Sequence, residues 1–137
     1  MSIFNFRKRP AGYGGEEKAE TYDFFEIAAF FRCDSHKQAL GVLSEQTCSD
    51  LGLDDLFMFT DRTASRVGQQ YLYNLMRTIP AKEGEIKANE AIIEKFSADS
   101  GGHASVVKEL HTLQAVEAYS IAPLLQTEHP PVPAWWQ

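Results

Sequence analysis

The stretch that comes closest to a phosphate-cradling loop in this chain is Gly12-Tyr13-Gly14-Gly15-Glu16-Glu17-Lys18. Such a loop needs G-K-[ST] after a strand, so that backbone N–H groups surround the phosphates and the lysine neutralises them. Here Ala19 follows the lysine, no strand pattern precedes it, and two carboxylates would repel the anion. The stretch reads as a linker. Metal chemistry fares no better. His36, His103, His111 and His129 are scattered without an i, i+4 pair, and Cys33 and Cys48 lack C-x-x-C spacing, so no zinc-type ligand set forms. Neither G-x-S-x-G nor a cysteine with an evident partner base is present. Asp54-Asp55 resembles an acid/base pair in composition only. Neighbours on a helix diverge, and carboxylates in a first turn suit the positive end of the helix dipole. No catalytic, cofactor-binding or metal-ligating residue is therefore expected.

Charge narrows the partners. The chain has 137 residues, with 19 acidic against 13 basic side chains and a formal net charge of −6. A domain of that sign does not attract phosphate as a whole, so nucleic-acid contact would be local. Arg7-Lys8-Arg9 is a lone basic triplet in a glycine-containing leader. Arg62, Arg66 and Arg77 bracket the strongest helical pattern; they either touch a DNA backbone or pair with Asp54, Asp55 and Asp61. The two cysteines read as buried or half-buried thiols of a reducing compartment. Met1 to Arg9 is not followed by the apolar run of a secretory leader, and no apolar run reaches membrane-spanning length.

These side chains sit on a series of helical patterns. Residues 1–18 read as a flexible leader. Tyr22, Phe24, Phe25, Ile27, Ala28, Phe30 and Phe31 share a broad face, predicting a short amphipathic helix over 20–31, with a strand as the other option. This aromatic face is either core or a partner groove that has lost its cover. Residues 39–50 read as loop with at most a turn. A short helix follows over 51–60, entered through Asp54-Asp55. The clearest helix spans 64–77, capped by Thr63 or Ser65, with Val67, Tyr71, Leu72, Leu75 and Met76 as its inward stripe. Pro80 stops it. A helix over 81–98 turns Ile86, Ile92, Ile93 and Phe96 inward and ends at Gly101-Gly102. Two more follow over 104–111 and 115–125. Residues 128–137 form a Pro/Trp tail.

One junction carries more than periodicity. Asp50-Leu51-Gly52-Leu53-Asp54-Asp55-Leu56-Phe57 leads into Asp61-Arg62-Thr63-Ala64-Ser65-Arg66-Val67-Gly68. Gln69-Gln70-Tyr71-Leu72-Tyr73-Asn74-Leu75 follows, closing on Ile79-Pro80. This stretch resembles the helical core, or lever, domain of the MutS family of DNA mismatch-repair proteins. There a leucine-rich helix runs into a D-x-T-x-[ST]-x-x-G junction and then a helix with a leucine-containing face that ends in proline. Asp61, Thr63, Ser65 and Gly68 fall in that junction, and Leu72 and Leu75 supply the face. The family's next helix carries I-x-x-R-x-x-x-V-x-x-[FL]. Ile86, Asn89, Ile93 and Phe96 occupy similar positions, with Asn89 where the arginine stands, so no role of that arginine carries over. The likeness covers roughly residues 46–125 and is nearest to a divergent bacterial MutS-related branch. Phe24-Phe25-Glu26 mimics the family's mismatch-reading Phe-x-Glu. Too few residues separate it from the core match for the intervening mixed α/β domain, so Phe24 and Glu26 read as ordinary helix residues.

The resemblance implies an all-α antiparallel helical bundle over 19–127, similar to the MutS core, in a chain cut before the rest of its parent. It implies a non-catalytic lever that couples DNA binding to ATP hydrolysis carried elsewhere in a DNA-dependent ATPase. ATP and Mg would belong to the parent and not to this chain. The implied partners are DNA through the parent, the ATPase domain of the same chain, and a second copy in a full-length homodimer. In the divergent branch, membrane-spanning helices can follow, and Pro133-Ala134-Trp135-Trp136 would then be an interfacial anchor. The location implied is the cytoplasm or the cytoplasmic face of a membrane. Gly68 lies one turn inside a helix, where glycine costs about 1 kcal/mol relative to alanine; close passage of another helix would justify it. The other reading is a free-standing helical adaptor that binds a partner through the Phe24 to Phe31 face.

Overall fold

In a computed structural model of the chain, the residues described are 18, 20–37, 39–81 and 83–126, the side chains of 83 and 85 excepted. The leader through 17, with Arg7-Lys8-Arg9 and most of the glycine-rich stretch, lies outside the described residues, as does the tail from 127 onward with His129 and Pro133 to Trp136.

Among the described residues the chain is mostly helical. Helix α1 (Phe24–Ile27) is capped by the Asp23 carboxylate, which accepts from the N–H groups of Phe25 and Glu26 at 3.0 and 3.3 Å. Helix α2 (Ala29–Cys33) follows after Ala28. The single helix expected over 20–31 is thus two short ones. Helix α3 (Glu45–Leu51) starts on the Ser44 hydroxyl, which accepts from the Thr47 N–H at 3.1 Å. Gly52, with φ 60°, ends α3 and opens α4 (Leu53–Thr60) without an intervening loop. A left-handed residue at that place is what glycine supplies at no steric cost. Asp54 and Asp55 lie in the first turn of α4 as expected.

Helix α5 (Arg66–Arg77) takes Ser65 as its cap. The chain then passes straight into strand β2 (Thr78–Pro80), which pairs antiparallel with β1 (Ala39–Val42). The register sets Ala39 opposite Pro80, Gly41 opposite Ile79 and Val42 opposite Thr78, with an irregularity between Ala39 and Gly41. Residues 39–50 are therefore strand and helix where the sequence predicted loop, and the bundle carries a small two-stranded sheet. Helices α6 (Glu83–Ala98) and α7 (Ser100–Leu110) come next. After them come 3-10 turns at His111–Leu113 and Val116–Ser120, and helix α8 (Ile121–Gln126).

The core gathers on α5. Ile27, Ala28, Cys48, Leu53, Phe57, Tyr73 and Tyr119 are buried together, with Tyr22, Phe24, Phe31, Leu43, Leu72 and Met76 packed against them. Phe57, fully buried, is the hub: the rings of Tyr22, Phe24 and Tyr73 meet it edge-on at 5.7–5.9 Å between centroids. Such pairs contribute about 0.5–1.5 kcal/mol each beyond burial.

Three expectations are corrected. The buried residues of α5 are Gln69, Gln70, Tyr73, Asn74 and Arg77, whereas Tyr71 and Leu75 are exposed. At about 100° per residue this buried set is centred opposite the apolar stripe. Leu72 and Met76 alone of that stripe reach the core cluster. Gln69, Gln70 and Arg77 go inside because each finds fixed partners there, which offsets its desolvation. On α6, Ile86, Ile92 and Ile93 are exposed and Phe96 is half-buried, since α6 packs mainly on α7 and β2. Gly101-Gly102 does not end a helix. It lies in the first turn of α7, where the Asp99 carboxylate accepts from the Gly102 N–H at 2.8 Å and leaves no room for a side chain on that residue.

Candidate functional site

The four junction residues meet between α4 and α5. The chain leaves α4 at Asp61, whose side chain is fully buried. Its Oδ1 accepts from the Thr63 N–H at 2.8 Å and from the Thr63 hydroxyl at 2.7 Å, turning the chain back on itself. Its Oδ2 accepts from the Gln69 amide at 2.9 Å and from the Lys18 ammonium at 3.2 Å. Two residues on, the Ser65 hydroxyl accepts from the Gly68 N–H at 3.0 Å. Asp61 and Ser65 therefore divide the work: one fixes the turn, the other starts the helix.

Gly68 completes the joint. A Cβ there would lie 3.0 Å from the Ser65 hydroxyl and 3.1 Å from the Thr63 Cβ. The close neighbour is the cap of its own helix. The sequence had suggested a passing second helix, and that expectation is corrected.

From this joint a polar network crosses the molecule. The Gln69 Oε1 accepts from the Tyr119 hydroxyl at 2.6 Å and from Arg66 at 3.1 Å. Arg66 also pairs with Glu20, lies 5.4 Å from the Tyr119 ring centroid, and donates to the Gln114 carbonyl at 3.0 Å. Lys18 donates to the Thr63 carbonyl as well. Gln70, fully buried, donates to the carbonyls of Glu26 and Tyr119 at 2.9 and 2.8 Å. Segments far apart in sequence are pinned to one helix end. An open cleft of about 410 Å³ borders Lys18, Glu20, Arg66 and Gln69.

The electrostatics follow from these contacts. Burial pushes the Asp61 carboxyl up, but the hydrogen bonds from Gln69 and Thr63 and the charge of Lys18 outweigh it and hold it below its ordinary value. Burial raises the Tyr119 phenol, against the pull of Arg66. Asp54 is raised by burial and by the neighbouring Asp55 charge.

The three arginines are placed differently. Arg62 is exposed and donates to the Asp61 carbonyl at 2.7 Å. Arg66 serves the joint. Arg77 is buried, donates to the Leu43 carbonyl and the Glu45 carboxylate at 3.1 and 2.8 Å, and lies 4.0 Å from the Phe31 ring centroid. Burial lowers its pKa, but the hydrogen bond and charge of Glu45 win and raise it. The carboxylates chosen by Arg66 and Arg77 are Glu20 and Glu45, and not the Asp54, Asp55 and Asp61 that proximity in sequence suggested.

Sequence reasoning missed Lys18, Glu20, Gln69, Gln70 and Tyr119. No local signal marks them, because most of their bonds join residues 43 to 50 apart; the contacts of Gln69 with Asp61 and Arg66 are the short-range ones among those described above. Cys33 is exposed and Cys48 buried, both as free thiols. Among the described residues, no group of three or more His, Cys, Asp or Glu is placed to hold a metal ion. Among the same residues, no helix is long and apolar enough to cross a membrane. Phe24 and Phe31 pack on the core, while Phe25 is exposed under the Arg32 guanidinium. Comparison of the chain with profiles of known protein families, with curated proteins and with solved structures yields no match.

Proposed function

We propose that this domain is a non-catalytic coupling element, the helical lever of a MutS-type ATPase, passing strain between a DNA-facing part and an ATPase part of its parent. The observation that carries this reading is the joint. Asp61, Thr63, Ser65 and Gly68, on which the resemblance rests, form one hydrogen-bonded unit between α4 and α5. Asp61 and Gln69 tie that unit to Lys18 and Tyr119. A lever must not bend where two of its helices meet, and a satisfied buried polar network stiffens that place. ATP, Mg and DNA are then partners of the parent, whose setting is the cytoplasm or the cytoplasmic face of a membrane. Of the three arginines, Arg62 is the exposed one, whereas Arg66 and Arg77 are engaged with Glu20 and Glu45, so a DNA backbone contact by either of those two would cost that pair.

The test has two steps. The reading frame beyond codon 137 should encode G-x-x-x-x-G-K-[ST] within an ATPase pattern. In that parent, Asp61→Ala should cut DNA stimulation of ATP turnover by about tenfold while basal turnover holds, a coupling loss in the usual range. A frame without the ATPase overturns the reading, as does a folded variant with stimulation intact. The second reading is an adaptor that binds a partner through the Phe24 to Phe31 face. There Phe24 and Phe31 pack on the core and leave Phe25 exposed, and Ile86, Ile92 and Ile93 of α6 are exposed as well. Such an adaptor would bind its partner without any downstream ATPase.

A further inference from the structure

The joint between α4 and α5 is closed by a strap that belongs to neither helix. Lys18 and Glu20 lie against the joint, and Thr21 is exposed. Tyr22 then packs on the core, its ring 5.9 Å from that of Phe57, and Asp23 caps α1. Packing and capping thus fix the strap at Tyr22 and Asp23. Ahead of them the attachment is of another kind. The Glu20 N–H donates to the Lys18 carbonyl at 2.8 Å, within the strap itself, and the contacts of Lys18 and Glu20 with the joint are made by charged side chains. The open cleft of about 410 Å³ is lined by these two residues together with residues 63–66, so apolar packing does not seal the strap to the joint.

Charges alternate along this attachment. Asp61 meets Lys18 at 3.2 Å, Lys18 meets Glu20 at 4.0 Å, and Glu20 pairs with Arg66. The strap supplies the two middle members. Without it the fully buried Asp61 carboxylate keeps its bonds from Thr63 and Gln69 but loses Lys18, and Arg66 loses Glu20. A buried charge deprived of its partner is strongly unfavourable. The side chains of Lys18 and Glu20 are themselves 29 and 23% exposed, so salt screens their end of the series. The joint depends on a piece that is itself weakly held.

We propose that the strap bearing Lys18 and Glu20 is a releasable latch: hinged at Tyr22, it lifts without unfolding the core, and its lifting loosens the joint. Release is local because neither residue belongs to the core cluster. It is easy because each partly exposed ion pair shifts an opening equilibrium by no more than about fivefold. As regulation of the joint the latch rests on the coupling reading: a load arriving at Lys18 passes to Asp61 and switches the joint from stiff to compliant, an order-to-disorder device of a familiar kind.

The full chain, labelled with nitrogen-15, would be followed by amide hydrogen exchange at neutral pH. Raising sodium chloride from about 0.05 to about 0.5 M shortens the screening length about threefold. Lys18→Met with Glu20→Gln removes both charges and keeps the side chains near their original size. In that variant the resonances at positions 20 and 21 should move to free-chain values. The amides of Thr63, Gly68 and Gln69, which report the bonds of the joint, should exchange about tenfold faster, as two such pairs allow. Amides 72–76 should keep their protection. Salt should move the same three amides in the same direction in wild type and have no further effect on the variant. Three results would each overturn the latch: a strap that stays in place without its charges, a lifted strap with joint amides unchanged, or loss of protection at 72–76 together with the joint. Should the double variant fail to fold, the wild-type salt series decides alone, and joint amides indifferent to salt would sink the proposal. These readouts need no ATPase, so the latch can fail while DNA stimulation of the parent stands, and the coupling reading can fail while the latch works.

Discussion

At Gly68 two opposing effects of one methyl group can be weighed. In a helix interior alanine is better than glycine by about 1 kcal/mol. The added Cβ, however, would meet the Ser65 hydroxyl at 3.0 Å and the Thr63 Cβ at 3.1 Å. Neither neighbour is free to move, because Ser65 holds the Gly68 N–H and Thr63 is bonded twice to Asp61. Overpacking costs about 1–3 kcal/mol, so Gly68→Ala should destabilise by about 1 kcal/mol net in urea unfolding. A gain in stability would show that the cap yields and that the joint is soft. Asp61→Ala removes the acceptor of Thr63, Gln69 and Lys18 at once. Breaking a buried, hydrogen-bonded charge pair costs about 3 kcal/mol or more. The pH dependence has a definite sign. The folded Asp61 carboxyl titrates below its ordinary value, so its contribution is present above the unfolded pKa of about 3.9 and is lost as pH falls through the folded one. The stability gap between wild type and Asp61→Ala should therefore be widest near neutrality and narrow as acid enters that window. A gap that stays constant down to about pH 2.5 would mean that the shape of the side chain matters and its charge does not.

Helices α4, α5 and α6 were legible in the chain to within a few residues, because their start signals are local: Asp54 and Asp55 in one first turn, the Ser65 hydroxyl at another helix start. Strand β1 was not legible. It has four residues, includes Gly41, and gains its meaning only from pairing with residues 78–80. The orientation of α5 was misread for the same reason. Periodicity ranks Tyr71 and Leu75 as core, yet Gln69, Gln70, Asn74 and Arg77 are buried, and three of them bond to distant partners at Tyr119, Glu26, Leu43 and Glu45. Hydropathy assigns no value to a partner it cannot see. Of the site, the junction residues were legible through the resemblance, whereas the side chains that lock them were not. The contrast between α4 and α6 can be measured. Phe57, with no exposure and three aromatic neighbours, should lose about 3–5 kcal/mol as Phe57→Ala. Ile93 has 65% of its surface exposed, so Ile93→Glu should shift the unfolding midpoint by no more than about 0.5 kcal/mol. A loss of several kcal/mol at Ile93 would return α6 to the inward orientation that its spacing alone suggested.

Across the whole molecule, order should be graded from α5 outward. Helix α5 packs on α1, α2 and the Val116–Ser120 turn, and the joint fastens its first residues to Lys18, Glu20 and Tyr119. The α6 and α7 pair rests mainly on itself, on β2 and on the His111–Leu113 turn, with most of its side chains in water. Segments with few buried apolar contacts open locally at much lower free energy than the unit that carries the core. In native-state hydrogen exchange, amides near the middle of α5 should exchange only through global unfolding, whereas those of α6 and α7 should be less protected by a factor of about 100 or more. Asp61→Ala should lower the protection of α5 and leave that of α6 unchanged, because the joint supports only the former. If α6 proved as protected as α5, the molecule would open as one unit and no stiff element would be distinguishable from a compliant arm. The coupling reading needs that distinction: a lever transmits motion only if its joint is harder to open than the arm that its partner must meet.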